Sequence, residues 1–410
     1  MDIQDVVREL LSPAGCDDPF PLYSALHAHG PVAAVGPDAH PSVRALVHGH
    51  AAVNEVLRDP RFRNSDATRL DRLQPGWRDH DLLTTLTGSM MFANGPGHTR
   101  FRRLFQSVFT PRRVADLEPA IADLVDTVCD RMARNAADGA TLDLMTEFAY
   151  RVPAGVVGRL FGIPERHWDQ IPPRANLIND ALSPRGHDPV VFSAANTAAR
   201  ELVGYYLDLI EQLRNEPDGG IISGILEQGA AGGHDVTDLE LAHNLVVTYN
   251  AAFATTTPMI AHGLVQLLAR PAHAARLRDD PATAPAYVEE ILRFVSPVQF
   301  VSRAVAEDVE FHGVTVPAGY TALVLLGAAN RDPARFADPD AFDPDRPDNH
   351  PISFGIGPHY CLGAALARSE GVLALPRLLR RFPDLAIGPD PVLDNSLLIP
   401  SYRSLPITLG

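Results

Sequence analysis

The run Ser353-Phe-Gly-Ile-Gly-Pro-His-Tyr-Cys-Leu-Gly-Ala-Ala-Leu-Ala-Arg-Ser-Glu370 sets one cysteine, Cys361, in a glycine-punctuated loop that leads into a helix-forming segment. This arrangement suits a thiolate that ligates a metal. Gly355 and Gly357 let the backbone take positive φ and lie flat against something planar. From Ala364 to Glu370 the residue types predict a helix, whose first turn presents free N–H groups beside the sulfur and favours its charged form. Gly363 removes side-chain bulk just past the cysteine, as the proximal side of a haem iron requires. The competing reading is a small buried hydrophobe, the common fate of a free cysteine.

Three further groups have residue types suited to chemistry. Glu290-Ile-Leu-Arg293 places a carboxylate and a guanidinium at i and i+3 on one helix face, a spacing shared with most surface salt bridges. His98-Thr-Arg-Phe-Arg102 places two cations four apart, just after the helix start at Asn94-Gly-Pro-Gly97. They would hold carboxylates, or else join Arg100 and Arg103 in a solvated basic face. Thr255-Thr-Thr257 lies in the apolar stretch Leu241 to Leu268, where a hydroxyl either bonds back to its own helix or faces a reactant. Pro258 lacks an N–H, so the carbonyl of Ala254 loses its helical donor and can hold a water. Asn250, one turn earlier on the same face, would join that water.

The scaffold that positions these residues reads as mostly helical. Apolar residues recur at helical spacing over Thr110–Phe148 and Ala194–Leu213. Short strands are predicted at Val32–Val35 and Val43–Val47, then a helix over Ala51–Leu57 that ends at Asp59-Pro60. Val309–Val316 and Ala322–Leu326 read as strands joined by the turn Pro317-Ala-Gly319. At 410 residues with 46% hydrophobic content, the chain can bury a core that encloses a prosthetic group. Its formal charge of −15 argues against nucleic acid or an anionic membrane as the main partner, and all of its basic side chains are arginine. Leu241–Leu268 carries His243, Asn244, Asn250, Thr255 and His262, which predicts a buried helix and no membrane span. Cys16, Cys129 and Cys361 are far apart and odd in number, against a disulfide framework or structural zinc and for a reducing compartment. The acidic amphipathic start reads as neither signal peptide nor anchor, so a cytoplasmic location is expected.

The cysteine loop resembles the haem-binding signature of the cytochrome P450 family at Phe354, Gly355, Gly357, His359, Cys361 and Gly363, and the resemblance runs from about Val43 to Leu405. It implies a mainly α fold in which residues 1–410 form a single triangular helical domain with a minor β-rich region. It implies haem b as cofactor, with Cys361 as the axial thiolate on iron. Glu290 and Arg293, with Arg346 in Phe342-Asp-Pro-Asp-Arg346, match the family's buried network that supports the haem loop. His98, Arg102, Arg303 and His359 match its contacts to the haem propionates.

The long helix departs from the family pattern, which usually reads Ala/Gly-Gly-x-Asp/Glu-Thr where this chain has Ala251-Ala-Phe-Ala-Thr255. The threonine is kept; the glycine and the acid are not. In the family that threonine and acid serve dioxygen activation and proton delivery, so here Thr255, the Ala254 carbonyl and Asn250 are the candidate relay. The alternatives are a proton route through substrate, or a reaction that ends in coupling or ring closure. The resemblance implies a monooxygenase that inserts one atom of dioxygen into a largely hydrophobic small molecule, a natural-product intermediate, with electrons from a ferredoxin and its reductase. Arg100, Arg103, Arg112, Arg113 and Arg368 lie on or beside segments flanking the cysteine loop, where they would form a docking patch for that ferredoxin or else are solvated helix faces. Substrate contacts are expected from Met90, Met91 and Phe92, the 165–200 region, Ala251 and Phe253, Val298 and Phe300, and Leu398. Two rivals are a peroxide-driven enzyme, which would explain the lost acid but lacks a polar group at Ala251–Ala254, and a non-catalytic haem sensor.

Overall fold

A computed structural model describes residues 2–12, 18–106, 109–136, 139–182, 188–230, 236–394 and 396–410. Cys16 and positions 183–187 of the expected substrate region lie outside these. The molecule is organised around one long helix, Asp238–Leu268. A capping box starts it: the Thr237 hydroxyl accepts from Glu240 N while the Glu240 carboxylate accepts from Thr237 N. The helix continues through Pro258, and its apolar positions from Leu241 to Leu267 are buried in the main core. Two helices approach closely on one flank because glycines permit it. A Cβ on Gly263 would lie 2.9 Å from Ile291, and one on Gly371 would lie 3.0 Å from Val288 and 3.1 Å from Met259. These contacts seat Ala284–Val295 and Ala364–Arg381 against the central helix. On the other flank, Ile171–Leu182 and Pro189–Asn215 pack on it and on each other.

A five-stranded sheet has the order Val32–Ala34, Val43–Val47, Thr321–Leu325, Phe300–Val305, Phe62–Arg63. All its pairings are antiparallel except that of Val43–Val47 with Thr321–Leu325. Side chains alternate across it. Val47, Ala322, Val324 and Val305 pack on Ala52, Val53 and Val56, while Leu46, Leu325, Leu323 and Phe300 face Val6, Val7, Tyr23 and Leu26.

The sequence-based expectations for Val32–Val35, Val43–Val47 and Ala194–Leu213 correspond to observed elements, the last within Pro189–Asn215. Two expectations are corrected. Val309–Val316 is not one strand but a hairpin, Val309–Phe311 against Val314–Val316, because His312 and Gly313 take positive φ (48° and 78°) and close a two-residue turn. The helical stretch from Thr110 breaks after Pro111–Asn135, with Gly139 at φ 75° and Asp143 accepting from both Met145 N and Leu405 N; Met145–Ala149 then forms a π turn. The sequence reading also placed no strand at Phe300–Val305, which carries Arg303.

Candidate active site

The cysteine loop is folded by its own backbone. Gly355 N donates to Ile352 O (2.7 Å) and Cys361 N donates to Phe354 O (2.9 Å), with Gly355 and Gly357 at φ 66° and 76°. Gly357 is required twice over, since a Cβ there would also sit 2.6 Å from the Leu57 carbonyl oxygen. At Gly363, by contrast, a Cβ would meet nothing within 4 Å: the residue borders open space immediately beside Cys361. Cys361 keeps some exposure, yet its sulfur lies deep enough that burial pushes the thiol up. The Gly363 N–H and the Arg102 and Arg368 guanidiniums act in the opposite direction. The following helix, Ala364–Arg381, is longer than the predicted Ala364–Glu370, and its N-terminus abuts the sulfur.

The loop is tied down from behind. Arg293 donates to both oxygens of Glu290 (2.7 and 2.8 Å), and both side chains are fully buried. Arg293 also donates to the carbonyls of Asn330, Pro339 and Ala341, while Glu290 accepts from Asp343 N and Asn349 Nδ2. Arg346 joins more loosely, as a 3.8 Å ion pair with Glu290, and spends its donors on the carbonyls of residues 337, 338 and 341. Sequence reasoning missed Asn330, which is fully buried and bridges three segments. Its Nδ2 donates to Ser296 Oγ and Ser353 Oγ, and its Oδ1 accepts from Ile352 N. A lone asparagine outside any motif gives no signal in the sequence.

Four basic side chains, the guanidiniums of Arg102 and Arg303 and the imidazoles of His98 and His359, gather beside Cys361. The rings of His98 and His359 lie 4.0 Å apart, and Asn64 Nδ2 contacts the His359 ring at 3.1 Å. His359 is lowered to about 3 by burial and then by His98, Arg303 and Arg102. His98 is lowered by burial and Arg102. Arg303 is 8% exposed, donates only to the Ser302 carbonyl, and is pulled down to about 10 by burial alone. Neither Arg303 nor Arg102 has a carboxylate partner among the described residues, although twenty-one other ion pairs are present there. A buried guanidinium without an anion is costly. The cluster therefore fits an anionic group brought by something other than the chain, and a haem, with two propionates and an iron for the neighbouring sulfur, meets that demand.

The central helix turns a half-exposed strip outward: His243, Ala251, Ala254 and Thr255, whereas Phe253 and Thr256–Pro258 are buried. Thr255 Oγ1 donates to the Ala251 carbonyl (2.8 Å), the back-bonded alternative weighed from sequence. No side chain of a described residue donates to the Ala254 carbonyl. Asn250 does not stand in line with Thr255; it is 6% exposed and donates sideways to Asn179 Oδ1 (2.9 Å) on Ile171–Leu182. Phe253 is corrected to a packing residue, 1% exposed and stacked on Tyr150 and Tyr249. The remaining substrate candidates sit on three different cores. Met90 and Phe92 edge the main core, with Met90 N held by Asn244 Oδ1, and Met91 is exposed. Val298 edges the sheet core, Phe300 packs on the N-terminal cluster, and Leu398 accepts from Gln299 N.

Of the flanking arginines, Arg100 pairs with Glu240 and Arg368 with Glu289, leaving Arg103, Arg112 and Arg113 exposed. On the outer side of the loop, Gly355, Gly357 and Tyr360 border a hollow of about 410 Å³ with Arg58, Arg335, His50 and His350.

A buried thiol loop before a helix, a cation cluster without its anion, and a long central helix define the haem-thiolate oxygenase class. The chain belongs to the cytochrome P450 family: the family's sequence model matches residues 191–385, and relatives match along almost the whole length. It is 35% identical to vitamin D(3) 25-hydroxylase of Pseudonocardia autotrophica, over 98% of this chain and 96% of that one. It is 36% identical to the cytochrome P450 monooxygenase PikC of Streptomyces venezuelae, over 95% and 91%. Among solved structures, P450BioI in complex with an acyl carrier protein ligated to hexadec-9Z-enoic acid superposes with a TM-score of 0.88 at 29% identity, covering 97% of this chain and all of that one. The mainly helical P450 fold with small sheets, the haem cofactor and the oxidoreductase class follow. No helix among the described residues is long and apolar enough to cross a membrane.

Proposed function

We propose that this chain, read as one domain over 1–410, is a cytoplasmic monooxygenase that oxidises a largely apolar natural-product intermediate with electrons from a ferredoxin and its reductase. The observation that carries the site assignment is the unpaired cation cluster at Cys361. Cys361 would supply the thiolate that holds the iron, and His98, Arg102, Arg303 and His359 would hold the propionates. Phe354, Gly355 and Gly363 would shape the loop for the cofactor. Bound haem supplies dioxygen activation, promoted by thiolate donation. Glu290, Arg293 and Arg346 hold the loop at its working distance through Asn330 and Ser353.

On the opposite wall, the Thr255 Oγ1 proton, given to the Ala251 carbonyl in the resting helix, is the one we assign to the relay. The Ala254 carbonyl, deprived of a donor by Pro258, holds the water that replaces it. Met90, Phe92, Ala251, Val298 and Leu398 supply an apolar lining. Relatives that support the substrate class include PikC and the 6-deoxyerythronolide B hydroxylase of Saccharopolyspora erythraea, 32% identical. Arg103, Arg112 and Arg113, with the hollow bordered by Arg58 and Arg335, form the face for an acidic donor. Turnover with NADPH and a surrogate ferredoxin system, run beside peroxide alone, tests the reading. Product only with the electron-transfer proteins is expected; product only with peroxide would replace this function with a peroxygenase.

A further inference from the structure

Asn250 is 94% buried on the central helix, yet it makes one hydrogen bond of the several an amide can make. Its Nδ2 donates to Asn179 Oδ1, and its Oδ1 is buried with no partner. Asn179, half-buried on Ile171–Leu182, gives its own amide N–H groups to no described residue. The two side chains therefore complete half of a reciprocal amide pair and leave an acceptor and a donor adjacent. Around them the helices contribute Ala175, Ile178, Val246, Val247 and Phe253, all buried and apolar. An unpaired buried amide oxygen costs as much as a lost hydrogen bond, so this pair is incomplete until a third group enters.

We propose that Asn250 and Asn179 form a specificity-determining clamp for a hydroxyl group on an otherwise apolar substrate. The proposal rests on the reading of the central helix as the substrate wall. A hydroxyl donates to Asn250 Oδ1 and accepts from Asn179 Nδ2 with one oxygen. If the two amides are flipped, the same hydroxyl serves with the roles exchanged, whereas a pure acceptor such as an ether or ketone takes the free N–H in either orientation and leaves the amide oxygen unpaired. The clamp ties the central helix to Ile171–Leu182, so it holds the hydroxyl-bearing end of the substrate between those two helices.

The test is calorimetric titration of the haem-loaded protein with cyclododecanol against cyclododecane, and borneol against bornane. Wild type is expected to bind at least one alcohol about ten-fold more tightly than its hydrocarbon, with the preference lost in both Asn250→Leu and Asn179→Leu. Asn179 is half-exposed, so its variant still reports if Asn250→Leu fails to fold. Absence of an alcohol preference in wild type, or its survival in either variant, overturns the clamp; so does a crystal structure of the alcohol complex with a water in the Asn250 position. The reduced carbonyl spectrum is taken on the same samples. Its normal thiolate band with no discrimination defeats only the clamp, whereas its absence defeats the functional reading beneath it.

Discussion

The roles proposed for Cys361 and Thr255 are separate, and each makes its own prediction. Cys361→His should abolish the strongly red-shifted Soret band of the reduced carbonyl complex, and a wild-type spectrum typical of a histidine-ligated haem would remove the thiolate assignment. Thr255→Ala should retain haem and divert NADPH into peroxide, with Pro258→Ala doing so more mildly by restoring a donor to the Ala254 carbonyl. Full coupling of NADPH to product in both variants would move proton delivery to the substrate. At this scale the cysteine loop, the Glu290–Arg293 pair and the four basic side chains were legible because their types recur in a known order. Asn330, Asn179 and Gln299 were not. Gln299 is 1% exposed and bonds to Tyr23 and to the carbonyls of residues 295 and 296, contacts that exist only once distant segments meet.

Among the elements, the helix Ala284–Val295 acts as an anchor for the loop, since its buried pair carries the 330–349 segment on side-chain bonds to main-chain groups. Arg293→Leu leaves Glu290 buried without its principal partner and should cost about 3–5 kcal/mol. Arg346→Leu should cost clearly less, because its pair with Glu290 is 3.8 Å long. Denaturant titration of both variants ranks them; equal losses would mean that the two arginines share the load. The helices Pro111–Asn135 and Pro189–Asn215 were readable from period, although the break after Asn135 was not, and neither were the hairpin at His312-Gly313 and the strand at Phe300–Val305. In those segments register is set by a turn or by neighbouring strands, and one-sided apolar alternation is interrupted by Ser302 and Arg303.

For the whole molecule, two buried groups without hydrogen-bond partners among the described residues bound the pH range. Glu370 is raised to about 8 from 4.5 by burial. Its folded form holds a proton that the unfolded chain releases, so this stability is complete below pH 4.5 and is lost as pH rises towards 8. His48, with both ring nitrogens unpaired, is lowered to about 3 from 6.5 by burial. Its contribution is complete above pH 6.5 and is lost as pH falls towards 3. Each acts at about 1.4 kcal/mol per pH unit inside its window. Glu370→Gln should raise the thermal midpoint at pH 8 and leave it unchanged at pH 4; an unaltered alkaline limb would show that the carboxyl has found a partner. The arginine distribution sets a second whole-molecule property, since the net charge is −15 while Arg103, Arg112 and Arg113 stay exposed. Arg112→Glu with Arg113→Glu should weaken ferredoxin-supported turnover in a salt-dependent way without altering substrate affinity. Unchanged turnover would take the patch out of the electron route.

The alternation along Phe300–Val305 has a consequence for insertions and deletions. Phe300 lies on the face towards the N-terminal cluster, and Arg303 shares the opposite parity with Val301 and Val305. Loss or gain of one residue in the short connection Ser296–Gln299 would leave the ladder free to re-form while exchanging the two faces. The chain would still fold a sheet, but Arg303 would be delivered to the N-terminal apolar cluster, and Ser302 or Ala304 would take its place beside the histidines. The length of that connection is thus constrained more tightly than its composition, and chimeras with relatives should exchange this strand together with both of its flanking loops.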